Sequence, residues 1–265
     1  MLNDAMCEVN LDPFLSIVIP AYNEEKRLPR SLDAIWTFLQ CQPYTSEIVI
    51  SDDGSRDATV KIAQQFGEGK PLRVLSDGEN RGKGWAVRRG MLAAKGQNVL
   101  FTDADLATPI EEVNKLLAAR EQGYDVAIAS RGLRESVLEV REPWYRELLG
   151  RAGNLLIQAV AVPGIWDTQC GFKLFSREAC RDIFSRSVID SICLDVELLY
   201  LARRMGYRIK EVPVRWRHDR DSRMRLLRES YRMLRDLARL RLLHRHVPRR
   251  APVRGAGMGP DAGLR

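Results

Sequence analysis

Leu15-Ser16-Ile17-Val18-Ile19-Pro20 decides the fold: a short, apolar, β-branched run, followed at once by the polar Tyr22-Asn23-Glu24 and then by Leu28, Leu32, Ile35, Trp36 and Leu39 between Glu25 and Gln40. The run predicts a buried strand and the three- to four-residue steps predict a helix. The same alternation continues outward. Strands are predicted at Glu47–Ser51, Leu72–Leu75, Asn98–Thr102 and Asp125–Ala129, with helices at Arg56–Phe66, Gly84–Ala94 and Ile110–Glu121. Strand and helix in turn predict an α/β fold with a mostly parallel central sheet and helices on both faces.

In such sheets ligands bind beyond the carboxyl ends of the strands. Polar clusters occupy those ends: Tyr22-Asn23-Glu24, Asp52-Asp53-Gly54-Ser55, Asn80 to Gly84, and Asp103 with Asp105. Taken singly, each is also what a turn or helix N-cap requires, as Asp57 and Thr59 illustrate. Four of them at one predicted rim point to a binding crevice.

Bulk properties narrow the class. A chain of 265 residues that is 45% hydrophobic can bury a sizeable core. Cys7, Cys41, Cys170, Cys180 and Cys193 are odd in number and lack CxxC spacing, so neither a disulfide framework nor a zinc site is expected, and a reducing cytosol is the default. No apolar run approaches the roughly 18 to 20 residues of a membrane span, and the first residues do not read as a secretory signal. Any membrane contact is therefore expected to be peripheral, on the cytoplasmic face.

The net charge of +7 is unevenly spread: residues 1–200 carry 23 basic against 29 acidic side chains, residues 201–265 carry 19 against 6. Between Arg220 and Arg241, Met224, Leu227, Tyr231, Leu234 and Leu237/Ala238 recur at helical spacing among arginines, which predicts a basic amphipathic helix. Its stripe either lies on anionic lipid or packs on the preceding domain. No nucleic-acid motif or interleaved aromatics accompanies the charge, so no nucleic-acid partner is expected. The expected organisation is an extension over 1–14, a catalytic domain over 15–218, the basic helix over 219–246, and a Pro/Gly/Ala-rich tail without fixed structure over 247–265.

Asp103-Ala104-Asp105 places two carboxylates two positions apart where a strand emerges, so that both can share one side as an oxygen-bound Mg²⁺ or Mn²⁺ requires. Asn80-Arg81-Gly82-Lys83-Gly84 puts two cations and two glycines before a helix, a setting that favours phosphate. The Walker pattern and GxGxxG are both missing, which argues against a P-loop enzyme and a dinucleotide oxidoreductase. Cys170 and Cys193 have no nearby histidine in sequence and read as buried small residues, while Trp144, Trp166 and Trp216 are candidates for a sugar or lipid site, with core packing the commoner role for each.

Ser16 to Glu25, Asp52 to Ser55, Asn80 to Gly84 and Asp103 to Pro109 resemble, in order, the signatures of family 2 inverting glycosyltransferases, which have the GT-A fold. Asp167-Thr168-Gln169-Cys170-Gly171-Phe172-Lys173-Leu174-Phe175 and Asp195-Val196-Glu197-Leu198-Leu199 are similar to the dolichyl-phosphate β-glucosyltransferases more than to the mannose synthases. The resemblance runs from about Leu15 to Leu243. It implies that Pro20, Tyr22, Glu24 and Asp53 surround the nucleotide, that Lys83 and Ala104 lie by the sugar nucleotide, and that Asp103 and Asp105 serve metal and diphosphate. It further implies Arg131 near donor or acceptor phosphate, with Lys173, Ser222 and Arg223 as acceptor-phosphate clamps; Asp167 is the candidate base for a hydroxyl acceptor.

Ala107 stands where the mannose synthases commonly carry Gln, and Asp221-Ser222-Arg223 stands for their Gly-Ser-Lys. The N-terminal membrane helix of the eukaryotic branch is not seen, which suggests a prokaryotic relative. The expected reaction is transfer of glucose from UDP-glucose to a polyprenyl phosphate with inversion to a β-linked product. The alternatives are a GDP-mannose-dependent mannosyltransferase and, outside catalysis, a nucleotide-sugar or nucleic-acid binding protein.

Overall fold

Strand β1 (Leu15–Ala21) is buried along its whole length, as expected of a central strand covered on both faces. The computed structural model describes residues 12–140, 153–217 and 226–250, without the side chains of residues 140 and 226–230. After β1 come α1 (Leu28–Gln40), β2 (Ser46–Asp52), α2 (Thr59–Gly67), β3 (Leu72–Leu75), α3 (Lys83–Ala93) and β4 (Asn98–Thr102). A 3-10 turn at Ile110–Glu112 runs into α4 (Val113–Glu121), followed by β5 (Val126–Ser130), β6 (Val137–Val140) and a helix over 153–160 (α5). The chain continues with β7 (Phe172–Ser176), α6 (Arg177–Phe184), α7 (Leu194–Arg204), β8 (Ile209–Pro213), β9 (Arg215–Arg217) and α8 (Leu226–Leu243).

The main sheet has the order β3-β2-β1-β4-β7-β5-β8, and β6 pairs with β9 in a small second sheet. The β1–β2, β1–β4, β2–β3 and β5–β8 pairs are parallel, as the alternating sequence predicts. Strand β7 is the exception. It enters between β4 and β5 and runs antiparallel to both. The sequence predicts no strand at Phe172–Phe175, because Lys173 interrupts the continuous apolar run by which the other buried strands are recognised.

Side chains of each strand divide between two cores. Val18, Val49, Phe101 and Phe175 face one core with α3, α6 and α7, whereas Ile17, Ile48, Leu100 and Leu174 face the other with α1 and α4. Adjacent residues thus point to opposite faces, the period of two that a strand dictates. Local signals set several helix starts. Pro29 lies in the first turn of α1, and Ser176 caps α6 by accepting a hydrogen bond from Ala179 N.

The basic helix α8 packs on the domain. Met233, Leu237 and Leu240 are buried in the same core as α7, and His244 Nε2 lies 2.7 Å from Glu197 Oε1 with both side chains buried. The stripe expected from sequence is accordingly corrected: Leu237 is a core residue, but Tyr231 and Leu234 are 70% and 52% exposed. The structured chain also extends past the expected boundary at 247. Val247 is buried, its carbonyl accepts from Arg204 Nε, and Arg250 N donates to Arg204 O. Residues 1–11, Trp144, Ser222, Arg223, Met224 and the tail from 251 lie outside the described residues.

Leu240→Ala removes a fully buried side chain and is expected to cost about 2–4 kcal/mol. Leu234→Ala, on the outward face, is expected to stay within about 0.5 kcal/mol of wild type. Urea denaturation of the two variants measures both; equal losses would contradict this orientation of α8.

Candidate functional site

The rim at the carboxyl ends of β1, β2 and β4 is tied together by its own polar groups. Asn23, in the left-handed region at φ 55°, receives Arg56 N on Oδ1 at 2.8 Å and donates its own N–H to Ser55 Oγ at 2.9 Å. Glu24 N donates to Thr59 Oγ1 at 2.7 Å, and the Glu24 carboxylate pairs with Arg27. The loops after β1 and β2 therefore form one unit, from which the half-exposed Tyr22 ring projects.

Asp53 holds the next loop. Its buried carboxylate accepts from Arg81 N at 2.8 Å and Gly82 N at 3.0 Å, while Asn80 Nδ2 donates to its carbonyl. Burial raises its pKa although these N–H donors oppose the rise. The resemblance places Asp53 around the nucleotide; here the carboxylate is spent on shaping the Asn80–Gly84 loop. Pro20 is likewise within buried β1, and Ala104 is buried with its carbonyl accepting from Ser31 Oγ at 2.6 Å. All three are buried at the rim.

Lys83 opens α3 and reaches across the rim to β4, where its Nζ lies 2.7 Å from Asp103 Oδ1. Burial opposes its charge, yet Asp103, Asp195 and Asp105 together lift its pKa well above the ordinary lysine value. The Asp105 pKa also rises, but there the rise disfavours the charged form. Burial and repulsion from Asp103 raise its pKa, against the hydrogen bond from Ala107 N. Two carboxylates on one short loop that repel each other are a fit for a hard divalent cation with its remaining ligands from phosphate and water. Gly171 closes this corner: its carbonyl accepts from Asp103 N at 3.1 Å, and a Cβ at that position would overlap the Asp103 carboxylate.

The Asp167–Phe175 block lies alongside. Asp167 is 7% exposed and accepts from Arg131 N, Nε and Nη2 at 2.7 to 2.9 Å as well as from Gln169 N and Cys170 N. Burial would raise its pKa, but the Arg131 guanidinium wins and holds it below the usual carboxylate range. Asp167 is thus both the cap of its own turn and the anchor of Arg131, whose guanidinium lies 5.1 Å from the Trp216 ring centroid. A carboxylate so stabilised as an anion is a weak base, which counts against the base role expected for a hydroxyl acceptor.

Lys173 is corrected outright. It is fully buried in the middle of β7, where its ammonium donates to Cys170 O and to Asp195, so no acceptor phosphate reaches it. A lysine enclosed in a sheet requires such a partner. Asp195, at the start of α7, is the member of the cluster that the sequence analysis does not single out, acting on both Lys173 and Lys83. The signal available was an acid in the first turn of a helix opposite an otherwise unexplained strand lysine. Cys170 is buried as expected, and burial pushes its thiol up to about 11.

Asp167→Asn sets amide hydrogens against the Arg131 donors and is expected to cost about 2 kcal/mol near neutral pH. Folding lowers the Asp167 pKa, so its contribution is complete above the ordinary carboxylate value of about 3.9 and is lost as pH falls through the lower folded value. The gap in Tm between wild type and variant should be constant from neutral pH to about 5 and shrink below about 4; a gap unchanged under acid would contradict the pairing.

The chain is similar to known proteins. Residues 16–184 match the family model described as Glycosyl transferase family 2. The chain is 42% identical over 216 residues to a dolichyl-phosphate beta-glucosyltransferase of Drosophila melanogaster, covering 76% of this chain and 66% of that one. It is 37% identical over 247 residues to the Homo sapiens protein of the same name, covering 86% and 75%. Among solved structures, glucosyl-3-phosphoglycerate synthase from Mycobacterium tuberculosis, in complex with Mn²⁺, UDP-glucose and phosphoglyceric acid, superposes with a TM-score of 0.63 at 22% identity, covering 89% of this chain and 81% of that one. With the rim built by β1, β2 and β4 and the family signatures on it, the chain belongs to glycosyl transferase family 2.

Proposed function

We propose that this protein transfers glucose from UDP-glucose to the phosphate of a polyprenyl lipid, with inversion to a β-linked product, at the cytoplasmic face of a membrane. The observation that carries the reading is the Lys83 ammonium held against Asp103 with Asp105 and Asp195 around it, at the mouth of a loop shaped by Asp53. The relatives named above supply the sugar and the acceptor class; they favour glucose over the mannose alternative.

Each group then has a task. Tyr22 offers an exposed ring beside the nucleoside, and Lys83 sets a positive charge against the departing diphosphate, where charge develops in the transition state. Asp103 and Asp105 would hold Mg²⁺ or Mn²⁺, which when bound supplies charge neutralisation on the diphosphate oxygens. Lys83 leaves Asp103 in part as the diphosphate arrives, exchanging one anion for another.

The acceptor needs alignment more than activation. A phosphate monoester, with its second pKa at about 6, is already anionic near neutral pH, so no side chain has to remove a proton. Arg131, oriented by two hydrogen bonds to Asp167, presents a fixed cation for that phosphate. This matches the depressed pKa of Asp167, which fits an anchor better than a base.

Purified protein incubated with a short polyprenyl phosphate and either UDP-glucose or GDP-mannose, with Mg²⁺ or Mn²⁺, tests the reading through organic extraction of the lipid product. Glucosyl-phosphoprenol from UDP-glucose is expected, and Lys83→Ala is expected to lower kcat/KM about 10²- to 10³-fold without lowering Tm by more than a few degrees. Product from GDP-mannose alone would overturn the donor assignment, and no lipid product from either donor would overturn the acceptor assignment.

A further inference from the structure

Down the axis of α8 three faces separate. Met233, Leu237 and Leu240 enter the core; Tyr231, Leu234, Ala238 and Leu242 form an exposed apolar line; and Arg232, Arg235 and Arg239 fall between the two. The arginine face is one wall of a cavity of about 520 Å³, whose opposite wall is the Val188–Ser191 loop and whose end is Arg81 and Gly82.

The cavity is built into the fold. Its loop is pinned by Glu197, which accepts from Val188 N and Ile189 N at 2.9 and 3.1 Å and also meets His244 of the segment after α8. Both carboxylates at the cavity are already engaged: Asp236 accepts from Ser191 Oγ at 2.7 Å and pairs with Arg235, and Asp190 pairs with Arg88 at 2.7 Å. Four arginines and two carboxylates line the cavity, a formal excess of positive charge, with Arg81 also paired to Glu79 at 2.6 Å and Arg235 to Asp236 at 2.8 Å. Apolar groups stand at its edge, for Val188 is 54% and Leu243 40% exposed. On the far side of the apolar line, Arg241 donates to Val160 O, which brings α8 next to α5 and its exposed Leu155 and Leu156.

A cationic cavity bordered by exposed aliphatic side chains matches a molecule with an anionic head and hydrocarbon tails. A soluble anion would use the arginines and leave the apolar line bare, and a nucleic acid would find no aromatic stacking surface along α8 apart from Tyr231. We propose that this cavity binds the phosphate headgroup of an anionic membrane phospholipid, with Tyr231, Leu234 and Leu242 entering the bilayer interface beside it. The site is separate from the acceptor phosphate at Arg131, and it does not depend on which sugar is transferred. It shares Arg81 and Gly82 with the loop that carries Lys83, and Asp190 O accepts from Gly84 N at 3.1 Å, so the headgroup site adjoins the donor site.

The test is sedimentation of the full-length protein with vesicles of phosphatidylcholine alone or mixed with phosphatidylglycerol, for wild type, Arg235→Gln/Arg239→Gln and Leu234→Ser/Leu242→Ser. Wild type is expected to favour the anionic vesicles. Loss of two arginines should weaken that binding about 25-fold, at roughly fivefold per charge, and loss of the two leucines should weaken it as well, with Tm and transfer to a detergent-dispersed short-chain acceptor preserved in both. Equal binding to neutral and anionic vesicles, or anionic binding insensitive to the arginine pair, would overturn the site. So would release from the vesicles by millimolar inorganic phosphate, or tighter arginine-dependent binding to duplex RNA. Failure of transfer by the wild type in detergent would instead sink the proposed reaction while leaving the lipid site standing.

Discussion

The insertion of β7 between β4 and β5 is the constraint on which the site depends. Its antiparallel register carries Gly171 to the end of β4, where the Gly171 carbonyl fixes Asp103 N and the absence of a side chain leaves room for the Asp103 carboxylate. The same strand buries Lys173, whose charge draws Asp195 and therefore the N-terminus of α7 to the floor of the site. Upstream, the turn that precedes β7 closes on Asp167 and through it sets Arg131 at the end of β5. One strand therefore positions an acidic loop, a buried cation and Arg131 together.

That dependence also explains what was legible in the sequence. The strand–helix alternation from Leu15 to Ala129 could be read because parallel strands are near-continuous apolar runs and their helices repeat every three to four residues. The rim acids and the Lys83 loop could be read because binding groups gather at strand ends. Strand β7 could not, since a charged lysine interrupts its apolar pattern and only the fold shows Asp195 as the partner. The direction of a side chain was equally hidden: Lys173 faces the core, and the Asp53 carboxylate accepts hydrogen bonds from Arg81 N and Gly82 N, neither of which a local pattern announces.

Charge in this molecule is used in two ways. At the rim, opposite signs are held close, with Lys83 against Asp103 and Arg131 against Asp167, which fixes the orientation of each cation. On α8, arginines occupy a face left over after the apolar contacts with the core are satisfied, and Arg232, Arg235 and Arg239 line the cavity that ends at Arg81 and Gly82. An amphipathic helix is commonly either a core element or a surface anchor. Helix α8 has enough circumference for a core stripe and a separate exposed line, because 3.6 residues per turn distribute positions 231, 234, 238 and 242 away from 233, 237 and 240.

The central claim is that the Lys83, Asp103 and Asp105 corner holds a nucleotide diphosphate together with a divalent cation. Calorimetric titration of UDP into wild type and Asp105→Asn, with Mn²⁺ and with chelator, measures this without requiring turnover. Tight binding by wild type that falls at least about tenfold on chelation, and that falls as far in Asp105→Asn whether or not Mn²⁺ is present, is the predicted result. Equal UDP affinity in all four conditions would contradict it.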